Sequence, residues 1–200
     1  MQSQQPFNII ILGTGGQGQI TLLQILAKAA MTAGLDIKTS ELHGLSQRGG
    51  SVEVHIKFGK EVHSPLIKQG GADLVIAQEI QEALKGCYFS SKEKTNFIIN
   101  DLLIPIPGEK NIEKEYILQT IKNFSKETIL IPAQDICQQK LGTSVTAGVF
   151  LIAFASYKKL IPLEPEIIKK ALKQVLPQKY LKINLDTLNL VREEVDTNLP

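Results

Sequence analysis

The sequence predicts an α/β domain: a three-layer, Rossmann-like fold with a mixed sheet, a β-hairpin insertion and C-terminal helices. Three observations carry that prediction. An apolar run from Phe7 to Leu12 enters a glycine-dense turn, and a helical pattern follows at once. A second run, Val52 to Phe58, alternates apolar and polar residues where a doubly wound fold would continue with a helix. The last part of the chain reads as helices punctuated by Pro162, Pro165 and Pro177.

Each element follows in order. Phe7 to Leu12 is a buried strand, β-branched and ended by glycine. From Gly16 to Ala33 the apolar positions Leu22, Leu23, Leu26, Ala29, Ala30 and Ala33 recur at steps of three and four, with Gly34 placed to cap the helix. Ile37 to Leu42 is a second strand, and the β-α-β order favours two parallel strands. Val52, Val54, Ile56 and Phe58 alternate with Glu53, His55 and Lys57, so this strand has one polar face, expected against water or a partner. Gly59-Lys60 suits a two-residue turn that returns through Glu61-Val62-His63, setting His55 and His63 across one hairpin. Ala72 to Ala77 is a buried strand, followed by a short helix from Gln78 to Leu84. Phe97 to Asn100 is a strand, and Leu102 to Gly108 is a loop or edge because of Pro105 and Pro107. Tyr116 to Asn123 is helical and Thr128 to Ile131 is a short strand. Val145 to Leu160 is apolar nearly all round, hence a buried helix. Glu164 to Val175 and Gln178 to Glu194 are helices, with Pro165 in a first turn. One domain over residues 1–200 accounts for all of this, with an α/β core at 7–160 and C-terminal helices at 161–195.

Composition narrows the function. A chain of 200 residues can bury a core without disulfides or metal. The formal net charge is +2, which gives no case for nucleic-acid binding. The lysines between Lys158 and Lys182 read as the solvated faces of helices. Cys87 and Cys137 stand far apart, outside any C-x-x-C, which rules out a self-contained cysteine-ligated iron–sulfur cluster. Two histidines without a carboxylate at ligand spacing make a poor metal site. The N-terminus lacks a basic region and a long apolar segment, and Ala147 to Ala155 is too short to span a bilayer. A cytoplasmic protein, bound neither to nucleic acid nor to a membrane, is the expectation.

Two loops carry the candidate chemistry. Gly13, Gly15 and Gly18 fit G-x-G-x-x-G, with Gly16 and Gln17 between them. Such a turn lets backbone N–H groups approach an anion, and the helix adds its positive end. The second loop runs from Leu42 to Gly50. If the first two strands are parallel neighbours, His43, Gln47 and Arg48 face the glycine turn. His43 can titrate near neutral pH, and Arg48 can clamp an anion bidentately. Against this stand plain readings: a glycine turn that serves packing, and an exposed loop with a surface arginine. A dehydrogenase using a nicotinamide cofactor is the competing enzyme, with Glu41 where a ribose-binding acid would sit. No Tyr/Lys or His/Asp catalytic pair supports it.

Together the loops resemble the gamma-type domain of the 2-oxoacid:ferredoxin oxidoreductases, and within that family its indolepyruvate branch. The resemblance rests on Gly13-Thr14-Gly15-Gly16-Gln17-Gly18, on Lys38 to Val52 with its E-x-H-G-x-x-Q-R-G-G-S segment, on Ser64-Pro65-Leu66-Ile67, and on Gly71 to Ala77 followed by Gln78-Glu79. Ser144 stands where the family carries an Asn. The likeness implies a small subunit of a complex that oxidatively decarboxylates an aryl 2-oxoacid, such as indolepyruvate, to the acyl-CoA while reducing ferredoxin. It implies thiamine diphosphate, magnesium and iron–sulfur clusters on a larger catalytic subunit, with coenzyme A as co-substrate and no cofactor held by this chain alone. The glycine-turn residues Gly13, Gly15, Gly16, Gln17 and Gly18, with Gln47, are then a ligand or interface loop. His43 and Arg48 are the candidates for a catalytic role. The alternative is a free-standing NAD(P)-dependent oxidoreductase or a nucleotide-binding module.

Overall fold

The computed structural model describes residues 5–44, 49–105, 112–197 and 199. Six strands form one mixed sheet in the order β2-β3-β1-β4-β5-β6. They are β1 (Phe7–Thr14), β2 (Asp36–His43), β3 (Ser51–Gly59), β4 (Leu74–Ala77), β5 (Asn96–Asn100) and β6 (Glu127–Ile131). β1, β4, β5 and β6 run parallel, while β3 lies antiparallel to both β1 and β2.

Period-two alternation sorts β1 between two cores. Ile9 and Ile11 face one side with Val54, Ile56 and Phe58. Ile10 and Leu12 face the other with Val75, Ala77, Phe97 and Ile99. The first side is covered by α1 (Gln19–Thr32), α5 (Ala133–Leu141), α6 (Ala147–Tyr157), α7 (Pro165–Val175) and α8 (Gln178–Thr197). The second is covered by the short helices α2 (Ile80–Ala83) and α3 (Gly86–Phe89), and by α4 (Lys114–Lys122). α6 is buried from Ala147 to Ser156, as its all-round apolar sequence predicts. α7 packs on α1, and α8 packs on α6.

Three expectations are corrected. β1 and β2 point the same way but are not neighbours, because β3 is inserted between them. The hairpin is β2–β3, closed by the loop after His43, and not β3 with residues 61–63. After Gly59 the chain leaves the sheet instead, because the Val62 N–H donates to the Asp36 carboxylate at 2.8 Å and Val62 itself is buried. The polar face of β3 is also largely covered. His55 is only 3% exposed, under the 60–72 loop and edge-on to Phe89. Its Nδ1 accepts the Ile67 N–H at 3.1 Å, which leaves the ring proton on Nε2, bonded to Glu53 at 2.8 Å. His63 does not meet it: this side chain is exposed and pairs with Glu61.

Two elements were not expected, the one-turn helix α3 and α5. α5 is mostly polar and buries only Ala133 and Cys137, one turn apart, so its apolar signal is thin. Among the described residues no helix is long and apolar enough to cross a membrane.

Candidate functional site

β1 delivers the glycine turn to the carboxyl edge of the sheet. Gly16 and Gly18 take positive φ (105° and 81°), which bends the chain into α1. Gln17 then folds back over the strand end. Its Oε1 accepts the Thr14 N–H at 2.8 Å, and Gln19 Nε2 donates to the Thr14 carbonyl at 2.9 Å. A Cβ at Gly13 would lie 2.3 Å from Gln19 Nε2 and 2.5 Å from Gln17 Oε1. In a dinucleotide loop the first glycine serves the tight turn and the second the approach of the pyrophosphate. Here the first glycine makes room for two of the chain's own carboxamides, which accounts for Gln17 in the loop.

The second loop is tied to the first by backbone. The Gly15 N–H donates to Gly50 O at 2.7 Å, and the Gly49 N–H donates to Gly15 O at 3.3 Å. Sheet register sets His43 opposite Val52, and Val52 opposite Gly13. The inserted strand therefore does not part the loops. Gly15, Gly16, Gly18, Ile20, His43 and Gly44 line one cleft of about 350 Å³. His43 is exposed there. Gln47 and Arg48 lie outside the described residues.

A clasp holds the end of this loop. Ser51 Oγ donates to Glu82 Oε2 at 2.5 Å and accepts from Lys85 Nζ at 2.5 Å, while Lys85 also reaches Glu82 at 2.8 Å. Thus α2, through Glu82, and Lys85 just beyond it anchor the start of β3. Glu79, 2% exposed, pins the neighbouring connection by accepting the N–H groups of Glu82 (2.9 Å) and Ile104 (3.2 Å).

On the other side of the glycine turn lies a cavity of about 240 Å³ with mixed walls, which the sequence does not predict. Gly16, Gly18, Gln78, Asn100, Gln134 and Ser144 are among its walls. Gln78 follows β4 directly and Asn100 ends β5, so both stand at carboxyl ends of parallel strands. That position was readable, but which strands would be neighbours was not. Asn100 is fully engaged, donating to Gln78 O and accepting the Gln134 N–H, both at 3.2 Å. Gln78 is not: its Nε2 is buried without a hydrogen-bond partner. A buried donor left in that state costs about 1–3 kcal/mol. Next to this cavity a larger groove of about 570 Å³ runs between α1 and the α7–α8 junction, with Leu22, Val149, Leu176 and Ile183 on its walls.

The thiols take no part. Cys87 belongs to the core on one face of the sheet and Cys137 to the core on the other, so the pair cannot meet. Burial pushes the Cys87 thiol up to about 11 and raises Cys137 as well. Among the described residues no group of three or more His, Cys, Asp or Glu side chains could hold a metal ion.

This arrangement has counterparts. The family profile described as pyruvate ferredoxin/flavodoxin oxidoreductase matches residues 8–194. The indolepyruvate oxidoreductase subunit IorB of Archaeoglobus fulgidus is 36% identical over 188 residues, covering 92% of this chain and 92% of that protein. The common gamma subunit of the pyruvate/ketoisovalerate oxidoreductases of Pyrococcus abyssi is 26% identical over 159 residues, covering 76% of this chain and 78% of that one. Among solved structures, the pyruvate oxidoreductase subunit PORC of Thermotoga maritima superposes with a TM-score of 0.66 at 19% identity, over 94% of this chain and 96% of that one. The 2-oxoglutarate:ferredoxin oxidoreductase of Magnetococcus marinus gives 0.74 at 15% identity, over 97% of this chain and 32% of that one. At such identities the two structures speak for the shared fold.

Proposed function

Because the chain belongs to the pyruvate ferredoxin/flavodoxin oxidoreductase family, we propose that it is the small subunit of a cytoplasmic 2-oxoacid:ferredoxin oxidoreductase acting on an aryl 2-oxoacid such as indolepyruvate. In this reading thiamine diphosphate, magnesium and the iron–sulfur clusters sit on a large catalytic subunit. Coenzyme A takes up the acyl group and ferredoxin takes the electrons through the complex. The observation that carries the reading is the joined pair of loops at the carboxyl edge. The Gly15–Gly50 and Gly49–Gly15 backbone bonds make one surface of the glycine turn and the end of the His43 loop. That surface has no core to fill, and it suits the large subunit near the path of substrate or coenzyme A. His43 and Arg48 are the side chains we assign to that contact, with Gly13, Gly15, Gly16, Gln17, Gly18 and Gln47 shaping it.

Two steps test the proposal. Purified from its native source, the chain should come with a long subunit bearing thiamine diphosphate and iron–sulfur clusters. In the reconstituted complex, Arg48→Ala should lower 2-oxoacid-dependent ferredoxin reduction by about tenfold or more, the loss expected for a charged hydrogen bond worth about 1.5–3 kcal/mol. The melting temperature of the isolated subunit should barely move. A variant that unfolds the subunit, yet leaves the specific activity of assembled complex intact, would make the loop structural and end this assignment.

A further inference from the structure

We infer that the groove between α1, α6 and the α7–α8 corner is a binding site for a small neutral molecule: an apolar aromatic ring that carries one N–H donor. The local sequence builds the groove. Gly148 closes its floor, because a Cβ there would lie 2.8 Å from Leu22 Cδ1, so only glycine lets α6 come this close to α1. The opposite wall is a corner. Leu176 precedes Pro177 and takes extended backbone (φ −85°, ψ 137°), which ends α7 and turns the chain before α8 begins. The space left between the corner and α1 is about 570 Å³. That falls within the range of about 300–1,000 Å³ usual for small-molecule sites.

The walls select the ligand. Leu22 and Val149 are buried at the base, and Val175, Leu176 and Ile183 continue the apolar lining. Tyr180 stands half exposed at the lip, with Lys179 Nζ 4.7 Å from its ring centre to steady it. Among the described residues no Asp, Glu, Lys, Arg or His lines the groove. A charged ligand would lose its water there and gain no counter-ion, so the occupant is neutral.

Asn184 is the independent sign of a ligand. Its residue surface is only 8% exposed, and it lines the groove. The Nδ2 group donates to the Tyr180 carbonyl one turn back, at 2.8 Å, which sets the orientation of the carboxamide. Oδ1 accepts no hydrogen bond from the chain, yet it is not sealed from solvent, so it stands in the groove wall as a free acceptor. An acceptor in apolar surroundings is satisfied by a single donor. With a ring and a branched chain beside it at Tyr180 and Ile183, the donor that fits is an N–H on an otherwise apolar body. The site goes beyond the proposed function, since it lies on this chain and holds whichever 2-oxoacid the complex uses.

Titration of the full-length chain with indole and with benzofuran tests the inference. Benzofuran has nearly the same shape and no N–H. The chain contains no Trp, so the fluorescence of added indole reports its passage from water into the groove. Indole should bind with a Kd of about a millimolar or tighter. Benzofuran, followed by calorimetry, should bind about fivefold more weakly, the effect of one hydrogen bond. Asn184→Leu should remove that difference. Ile183→Phe fills the groove from a half-buried position and should abolish the binding of both, which guards against a folding defect in the first variant. Calorimetry on the reconstituted complex should still show indole bound. No indole binding, equal binding of both probes by the unaltered chain, or binding that Ile183→Phe leaves intact overturns the site. Indole held by the chain but excluded from the complex gives the groove to the partner subunit and overturns it as well. If the chain has no such partner, the titration of the chain alone still decides.

Discussion

At the scale of single residues, Gly13 shows how a familiar motif can serve an unfamiliar end. Its missing Cβ admits the carboxamides of Gln17 and Gln19, which satisfy the N–H and carbonyl of Thr14. Gly13→Ala must push both amides away and strand the Thr14 groups. It should cost about 1–3 kcal/mol of unfolding free energy in urea. A change below about 0.5 kcal/mol would show that the glutamine cover carries no weight. The glycine pattern was legible in the sequence because its spacing is local. Gln78 was not, because a carboxamide after a strand becomes part of a site only when the strand lands beside β1. Nor could the sequence tell that His55 is buried, since the Ile67 N–H that holds it comes from a loop twelve residues on.

At the scale of elements, the sheet turned on one ambiguity. Alternation made β3 a strand with a polar face, but two turns competed to be its hairpin. Gly59-Lys60 offered the better local turn chemistry, yet the longer β2–β3 pairing won. It extends over eight residue pairs and seats Val54, Ile56 and Phe58 in the core. α5 escaped notice for the opposite reason, since it fully buries only Ala133 and Cys137 and its apolar pattern is short. The Ser51–Glu82–Lys85 clasp joins two elements that no local pattern links. It makes a prediction at this scale. Glu82→Gln removes the charge that gathers Ser51 and Lys85, and should free the loop next to them. Amide exchange at Gly15 and Gly49 should speed up, while β4 and β5 amides keep their protection. Equal exchange in both proteins would show that the backbone bonds alone hold the loops together.

At the scale of the whole molecule, the α/β architecture and family were legible from short runs and two loops, whereas strand order needed three dimensions. The isolated chain should be catalytically silent, with no iron–sulfur absorbance and no 2-oxoacid-dependent reduction of a viologen dye. Its two thiols lie on opposite faces of the sheet and cannot share a cluster. Turnover by the purified chain alone would refute the subunit reading. The packing of α7 on α1 also bears on how the protein is made. The buried stripe of α1, with Leu22, Ile25, Leu26 and Ala29, leaves the ribosome long before α7, which begins only at Pro165. At typical rates of synthesis the part of α1 that α7 covers stays bare for on the order of ten seconds. Until α7 emerges, it is a natural client for a holding chaperone.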